Sequence, residues 1–145
     1  MKQPITILLA EDDDDDCMLF KQAVSELNAQ ILVNVVNDGE KLMTLLNETD
    51  QLPAILFLDM NMPRKDGMTC LKEIKQSELL KSIRVIILST SATDSIVNNL
   101  YEFGAQYYIR KPNDFDQLKN LIMNAIDLTA QNNTQPSIQN FVLSQ

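Results

Sequence analysis

The sequence predicts an α/β fold, a doubly wound sandwich around a parallel sheet, and three observations carry that reading. Five short runs rich in Ile, Val and Leu recur along the chain, segments with helical apolar spacing alternate with them, and the runs are continuously apolar. Strand and helix in alternation need crossover connections, which are right-handed in nearly every parallel sheet. A strand apolar on both sides fits a sheet covered by helices on both faces.

The strands are expected at Ile5 to Leu9, Ile31 to Val36, Ala54 to Leu58, Val85 to Leu88 and Tyr107 to Ile109. The first helix is marked by Leu19, Ala23 and Leu27, the second by Leu42, Leu45 and Leu46, and the third by Met68, Leu71 and Ile74. Ile96, Leu100 and Phe103 mark a fourth, and Leu118, Leu121, Ile122 and Ala125 a fifth. Asn37-Asp38-Gly39, Asp66-Gly67 and Asn113-Asp114 stand where helix caps belong. Periodicity stops after about Leu128, so residues 1–130 read as one domain. Residues 131–145, rich in Gln, Asn, Ser and Thr, read as a mobile polar tail.

Composition removes several classes of function. A chain of 145 residues with 45% hydrophobic content can bury a real core. Its formal charge of −8 argues against a nucleic-acid partner. No apolar run approaches the roughly 18 residues of a membrane span, and the start turns acidic too quickly for a signal peptide, so a cytoplasmic protein is expected. There is no histidine, which excludes Ser/His/Asp and Cys/His catalysis within this chain. Cys17 and Cys70 lack CxxC spacing and read as reduced thiols.

In open parallel sheets, ligands bind beyond the carboxyl ends of the strands, where strand order reverses. The first strand leads into Glu11-Asp12, the third into Asp59, the fourth into Ser89-Thr90 and the fifth into Lys111-Pro112. Each has a plainer reading taken alone. Glu11 to Asp16 suits the positive end of a helix macrodipole, Ser89 to Ser91 suit a helix cap, and Lys111 suits a surface. Their shared position beyond the strands of one crevice separates them from those readings.

Carboxylates from Glu11, Asp12 and Asp59 meeting within several ångströms would repel by about 4 kcal/mol per pair at an effective dielectric of about 20. A hard oxygen donor set with no His or Cys suits Mg²⁺, which takes one or two carboxylates and keeps waters. Asp12 and Asp59 are the candidate direct ligands, with Glu11 acting through a water. An oxygen of Asp59 would attack phosphorus, forming an acyl phosphate. Lys111 would supply a fixed positive charge, and Ser89 a hydroxyl hydrogen bond to the phosphoryl group.

The motifs ILLAEDD (Ile7 to Asp13), FLDMNMPRKDG (Phe57 to Gly67), ILSTS (Ile87 to Ser91) and YYIRKP (Tyr107 to Pro112) occur in this order. Through them the chain, from about Ile5 to Leu128, resembles the receiver domains of bacterial two-component response regulators. The resemblance implies a flavodoxin-like sheet of five strands in the order 2-1-3-4-5. It implies Asp59 as phosphoacceptor, Glu11 and Asp12 as the acidic pair, and the backbone carbonyl of Asn61 as a third metal ligand. Ser89 matches the switch hydroxyl, Tyr108 the aromatic that turns inward on activation, and Lys111 the site lysine, with a cis peptide before Pro112. Asn61 and Ser91 occupy places that tune dephosphorylation, and Thr90 is larger than the residue common after the switch hydroxyl.

The family further implies a signalling module, not an enzyme, acting as a monomer or weak homodimer. A histidine kinase or phosphotransfer protein would be the donor, and the face of the fourth helix, fifth strand and fifth helix would engage an unknown downstream protein. No effector domain follows within this chain. Two rivals remain: a receiver-like binding module independent of phosphate, and a phosphatase with an Asp nucleophile. Such phosphatases carry a second Asp two residues on, where this chain has Asn61. A flavodoxin phosphate loop is weaker still, since acids follow the first strand.

Overall fold

Every apolar run becomes a strand, and every amphipathic segment between runs becomes a helix. The computed structural model describes residues 4–27, 30–90, 93–132 and 134–144. Strands β1 (Ile5–Ala10), β2 (Ile31–Val36), β3 (Ile55–Asp59), β4 (Arg84–Ser89) and β5 (Tyr107–Arg110) alternate with helices. These are α1 (Asp14–Ser25), α2 (Gly39–Glu48), α3 (Gly67–Gln76), α4 (Asp94–Glu102) and α5 (Phe115–Gln131). Asp38, Asp66 and Asp114 cap α2, α3 and α5, each accepting from a backbone N–H three residues on.

All strand pairs are parallel, in the order β2-β1-β3-β4-β5-β6. Successive side chains of a strand point to opposite faces, which divides the core in two. Ile7, Leu9, Phe57, Ile86, Leu88 and Ile109 pack with Phe20, Ala23 and Val24 of α1 and Leu121, Ile122 and Ala125 of α5. On the other face Leu8, Leu56, Leu58, Val85, Ile87 and Tyr108 pack with residues of α2 and α3 and with Leu100 of α4. In α1 and α2 the expected Ala23, Leu42 and Leu46 are buried, but Leu19 and Leu45 are 41% and 40% exposed, and Phe20, Val24 and Met43 complete the buried stripes instead. In α4 only Leu100 is buried, and Ile96 and Phe103 remain partly exposed.

The fold departs from expectation in having a sixth strand, β6 (Val142–Leu143), preceded by a 3₁₀ turn at Ile138–Asn140. Both come from the stretch read as a mobile tail. Phe141 is fully buried and lies edge-on to Tyr101, with ring centroids 5.1 Å apart. The Tyr108 amide donates to the Phe141 carbonyl at 3.0 Å, and the Gln135 side-chain amide donates to the carbonyls of Tyr101 and Ala105, both at 2.7 Å. The Tyr101 hydroxyl donates to the Pro136 carbonyl at 2.6 Å. An edge strand leaves backbone groups needing partners, and this short segment supplies them with one aromatic anchor.

Replacing Phe141 with Ala should cost about 3–5 kcal/mol, the usual range for a fully buried phenylalanine. Urea unfolding of the variant should show a correspondingly lower midpoint; an unchanged midpoint would mean that the segment does not dock.

Candidate functional site

The register of the sheet brings the expected residues to one edge. Ala10 pairs with Leu58, so Glu11 lies level with Asp59. Asp59 in turn pairs with Leu88, and Ser89 with Arg110, so Ser89 and Lys111 each stand one residue beyond. The backbone fixes the last step, since the Lys111 amide donates to the Ser89 carbonyl at 2.8 Å.

One oxygen from each of Glu11, Asp12 and Asp59 falls within 4.8 Å of the others. Glu11 and Asp59 are 2% and 4% exposed, whereas Asp12 faces solvent. The Lys111 ammonium reaches across the strand edge to Glu11 Oε1 at 2.8 Å and Asp59 Oδ1 at 3.2 Å. Burial pushes the Glu11 and Asp59 carboxyls above the usual carboxylate range, and Lys111 pulls both partly back. The Asp59 charge raises Glu11 further, whereas hydrogen bonding with Glu11 lowers Asp59 and the Asp12 charge raises it. For Lys111, burial works against its charge, but hydrogen bonding to Glu11 and attraction to Asp59 and Asp16 outweigh it and raise its pKa. The site therefore holds three clustered carboxylates against one lysine. That is a donor set for a divalent cation, which would relieve the remaining repulsion.

The loop from Asp59 to α3 is held close to the site. The Gly67 amide donates to the Met60 carbonyl at 3.1 Å, and a Cβ at Gly67 would lie 2.5 Å from the Asp59 carbonyl oxygen. Only glycine allows this approach. Asp38, which caps α2, also pairs with Arg64 at 3.8 Å, and Arg64 sits in the left-handed region at φ 70.

The remaining expected residues are distributed as follows. Ser89 is 3% exposed at the end of β4, while Asn61 and Thr90 are exposed in the loops that follow β3 and β4. Ser91 lies outside the described residues. Tyr108 is fully buried, with its ring centroid 6.5 Å from that of Phe141. The cis peptide implied before Pro112 is not found: among the described residues no peptide bond is cis. Trans is the favoured isomer even before proline, and Lys111 makes its carboxylate contacts from it.

One contact escaped the sequence reading. Asp16 Oδ2 lies 3.2 Å from the Lys111 ammonium, making Asp16 a third carboxylate partner of that lysine. In sequence it was one more acid in a helix's first turn; the weak signal was its place one turn beyond the capping Asp13.

An acidic cluster with a spanning lysine, at the carboxyl edge of a doubly wound parallel sheet, is the kind of site that can hold a divalent cation. Comparison with known proteins gives the family: residues 7–123 match the response regulator receiver domain, and the chain belongs to that family. It is 32% identical over 124 residues to response regulator Rcp1 of Synechocystis sp., covering 82% of this chain and 84% of that protein. It is 31% identical over 125 residues to the probable methanogenesis regulatory protein FilR2 of Methanothrix harundinacea, covering 83% and 81%. Among solved structures, phosphorylated cyanobacterial phytochrome response regulator RcpA superposes with TM-score 0.83 at 30% identity, covering 93% of this chain and 100% of that one. The Mn²⁺-bound form of Rcp1 superposes with TM-score 0.80 at 29% identity, covering 92% and 100%. Among the described residues no helix is long and apolar enough to cross a membrane.

Two outcomes follow. Mg²⁺ at about 100 times its dissociation constant should stabilise the protein by about 2.7 kcal/mol, read as a rise in melting temperature that Asp12→Asn largely removes. Gly67→Ala should cost about 1–3 kcal/mol through overpacking and weaken that Mg²⁺ response, because the Asp59 backbone must shift.

Proposed function

We propose that this receiver domain accepts a phosphoryl group on Asp59 from a histidine kinase or phosphotransfer protein, with Mg²⁺ in the acidic pocket. The observation that carries the reading is the Lys111 ammonium within hydrogen-bonding reach of both Glu11 and Asp59, at the same edge as Ser89. Asp59 and Asp12 are the assigned direct ligands, joined by the backbone carbonyl of Asn61, with Glu11 acting through a water. A bound Mg²⁺ supplies positive charge to phosphoryl oxygens and offsets the carboxylate repulsion.

An Asp59 oxygen forms the new bond to phosphorus as the phosphorus–nitrogen bond of the donor imidazole breaks, and that imidazole keeps the bonding pair and takes up a proton. Lys111 then bonds the incoming phosphoryl oxygens in place of Asp59, and the Ser89 hydroxyl donates to them. Thr90, exposed after β4, and Pro112, next to Lys111, are assigned as modulators of access, and Ser91 as a modulator of dephosphorylation. The gain of charge biases the surface of α4, β5 and α5, which engages the downstream protein. The product is a modified protein, and no substrate is turned over.

The burial of Tyr108 beneath Phe141 favours a second reading, a receiver-like module that binds its partner without phosphate. Incubating wild type and Asp59→Asn with Mg²⁺ and acetyl phosphate separates the two. Intact mass should show one base-labile phosphoryl group on wild type and none on the variant. Equal behaviour of the two proteins would remove the assignment of Asp59.

A further inference from the structure

We propose that Asp16 is a positioning residue of the phosphoryl-accepting site: from the first turn of α1 it holds the Lys111 ammonium with a carboxylate that the metal does not need. This rests on the reading of Asp59 as phosphoacceptor and adds a residue to that site.

An ammonium has three N–H donors, and Lys111 meets three carboxylates, Glu11 at 2.8 Å, Asp16 at 3.2 Å and Asp59 at 3.2 Å. Two of these partners, Glu11 and Asp59, belong to the group whose oxygens converge for a divalent cation. Asp16 does not belong to it. When a cation draws on Glu11 and Asp59, and when Asp59 carries a phosphoryl group, Asp16 is the partner whose carboxylate is committed to the lysine alone.

The neighbouring acids show that this is more than a charged helix terminus. Asp14 and Asp15 are exposed, as residues serving only the macrodipole would be, while Asp16 is partly buried with its side chain turned to Lys111. Its backbone is fixed as well, since the Asp16 amide donates to Asp13 Oδ1 at 2.9 Å. A cavity of about 60 Å³ lies between α1 and α5, bordered by Leu9, Phe20, Leu88, Asp16 and Lys111 itself. A flexible four-carbon stem beside such a space needs a tether to keep its charge where phosphoryl oxygens arrive.

The test compares wild type, Asp16→Asn and Asp16→Glu by phosphorylation from acetyl phosphate and by ¹⁵N NMR of the lysine ammonium groups. Asp16→Asn should lower the phosphorylation rate at saturating donor and Mg²⁺ about tenfold, the scale on which residues behind a site act. Half-saturating Mg²⁺ should change little, and Asp16→Glu should recover most of the rate. The Lys111 ammonium signal, sharp in wild type with Mg²⁺, should broaden beyond detection in Asp16→Asn and return in Asp16→Glu. An unchanged rate and signal in Asp16→Asn would overturn the proposal, as would a shift in half-saturating Mg²⁺ with the maximal rate intact, which would make Asp16 part of the cation's field. If wild type takes no phosphoryl group, the receiver reading fails by itself, and the ammonium signal alone decides whether Asp16 positions Lys111.

Discussion

The contacts of the Lys111 ammonium allow two nearly buried carboxylates to coexist at the end of the sheet. Glu11 and Asp59 are almost removed from solvent, and a third acid, Asp12, stands against them. Removing either carboxylate from water is expensive unless it is paired and hydrogen-bonded. The ammonium does both for both across the sheet edge, because the order β1-β3-β4-β5 places Lys111 two strands from Asp59 and three from Glu11. A long stem ending in a compact point charge suits that task, and a planar guanidinium would not be equivalent to it. Strand order, register and the carboxyl-end loops all serve to bring this one cation to those acids.

Much of this was legible in the sequence because the signals were redundant. Strands buried on both faces must be continuously apolar, so β1, β3 and β4 stood out, and the residues following them fell at the edge where such sheets bind ligands. The site residues Glu11, Asp12, Asp59, Ser89 and Lys111 needed only that rule and their chemistry. The features missed are those whose signal lies in tertiary contact. β6 has two residues, too few for periodicity, and its segment is mostly polar. In α1 Ala23 is buried and Leu27 packs on the core as expected, but Leu19 and Phe20 are both apolar, and only packing against Phe57, with ring centroids 4.9 Å apart, selects Phe20 over Leu19. Asp16 was hidden by its neighbours, since five consecutive aspartates look alike until a lysine from β5 distinguishes one of them.

The surface formed by α4 and β5 combines weak and strong attachment. α4 contributes a single buried side chain, Leu100, so little apolar area holds that helix to the sheet. Against it lies the C-terminal segment, which bonds the carbonyls of Tyr101 and Ala105 through Gln135 and buries Phe141 between Tyr101 and Tyr108. Part of what fixes α4 therefore comes from residues beyond α5. A partner approaching this face meets the segment as part of the surface, and the energetics of any rearrangement of α4 include the hydrogen bonds and aromatic contacts made by residues 134–144.

β5 joins these two regions. It is four residues long, and within it Tyr108 packs against Phe141 while the next residue after its end is Lys111. A strand paired on both sides moves as a unit, because shifting one residue strains the hydrogen bonds of its neighbours. Tyr108 pairs with Ile87 of β4 and Val142 of β6, so both flanking strands constrain it. A change in how Lys111 is held at the acidic pocket and a change in how Phe141 sits on Tyr108 are thus linked through three residues of backbone. The short length of that connection, more than any single contact along it, places the charge chemistry of the pocket and the aromatic packing of the opposite region under the same constraint.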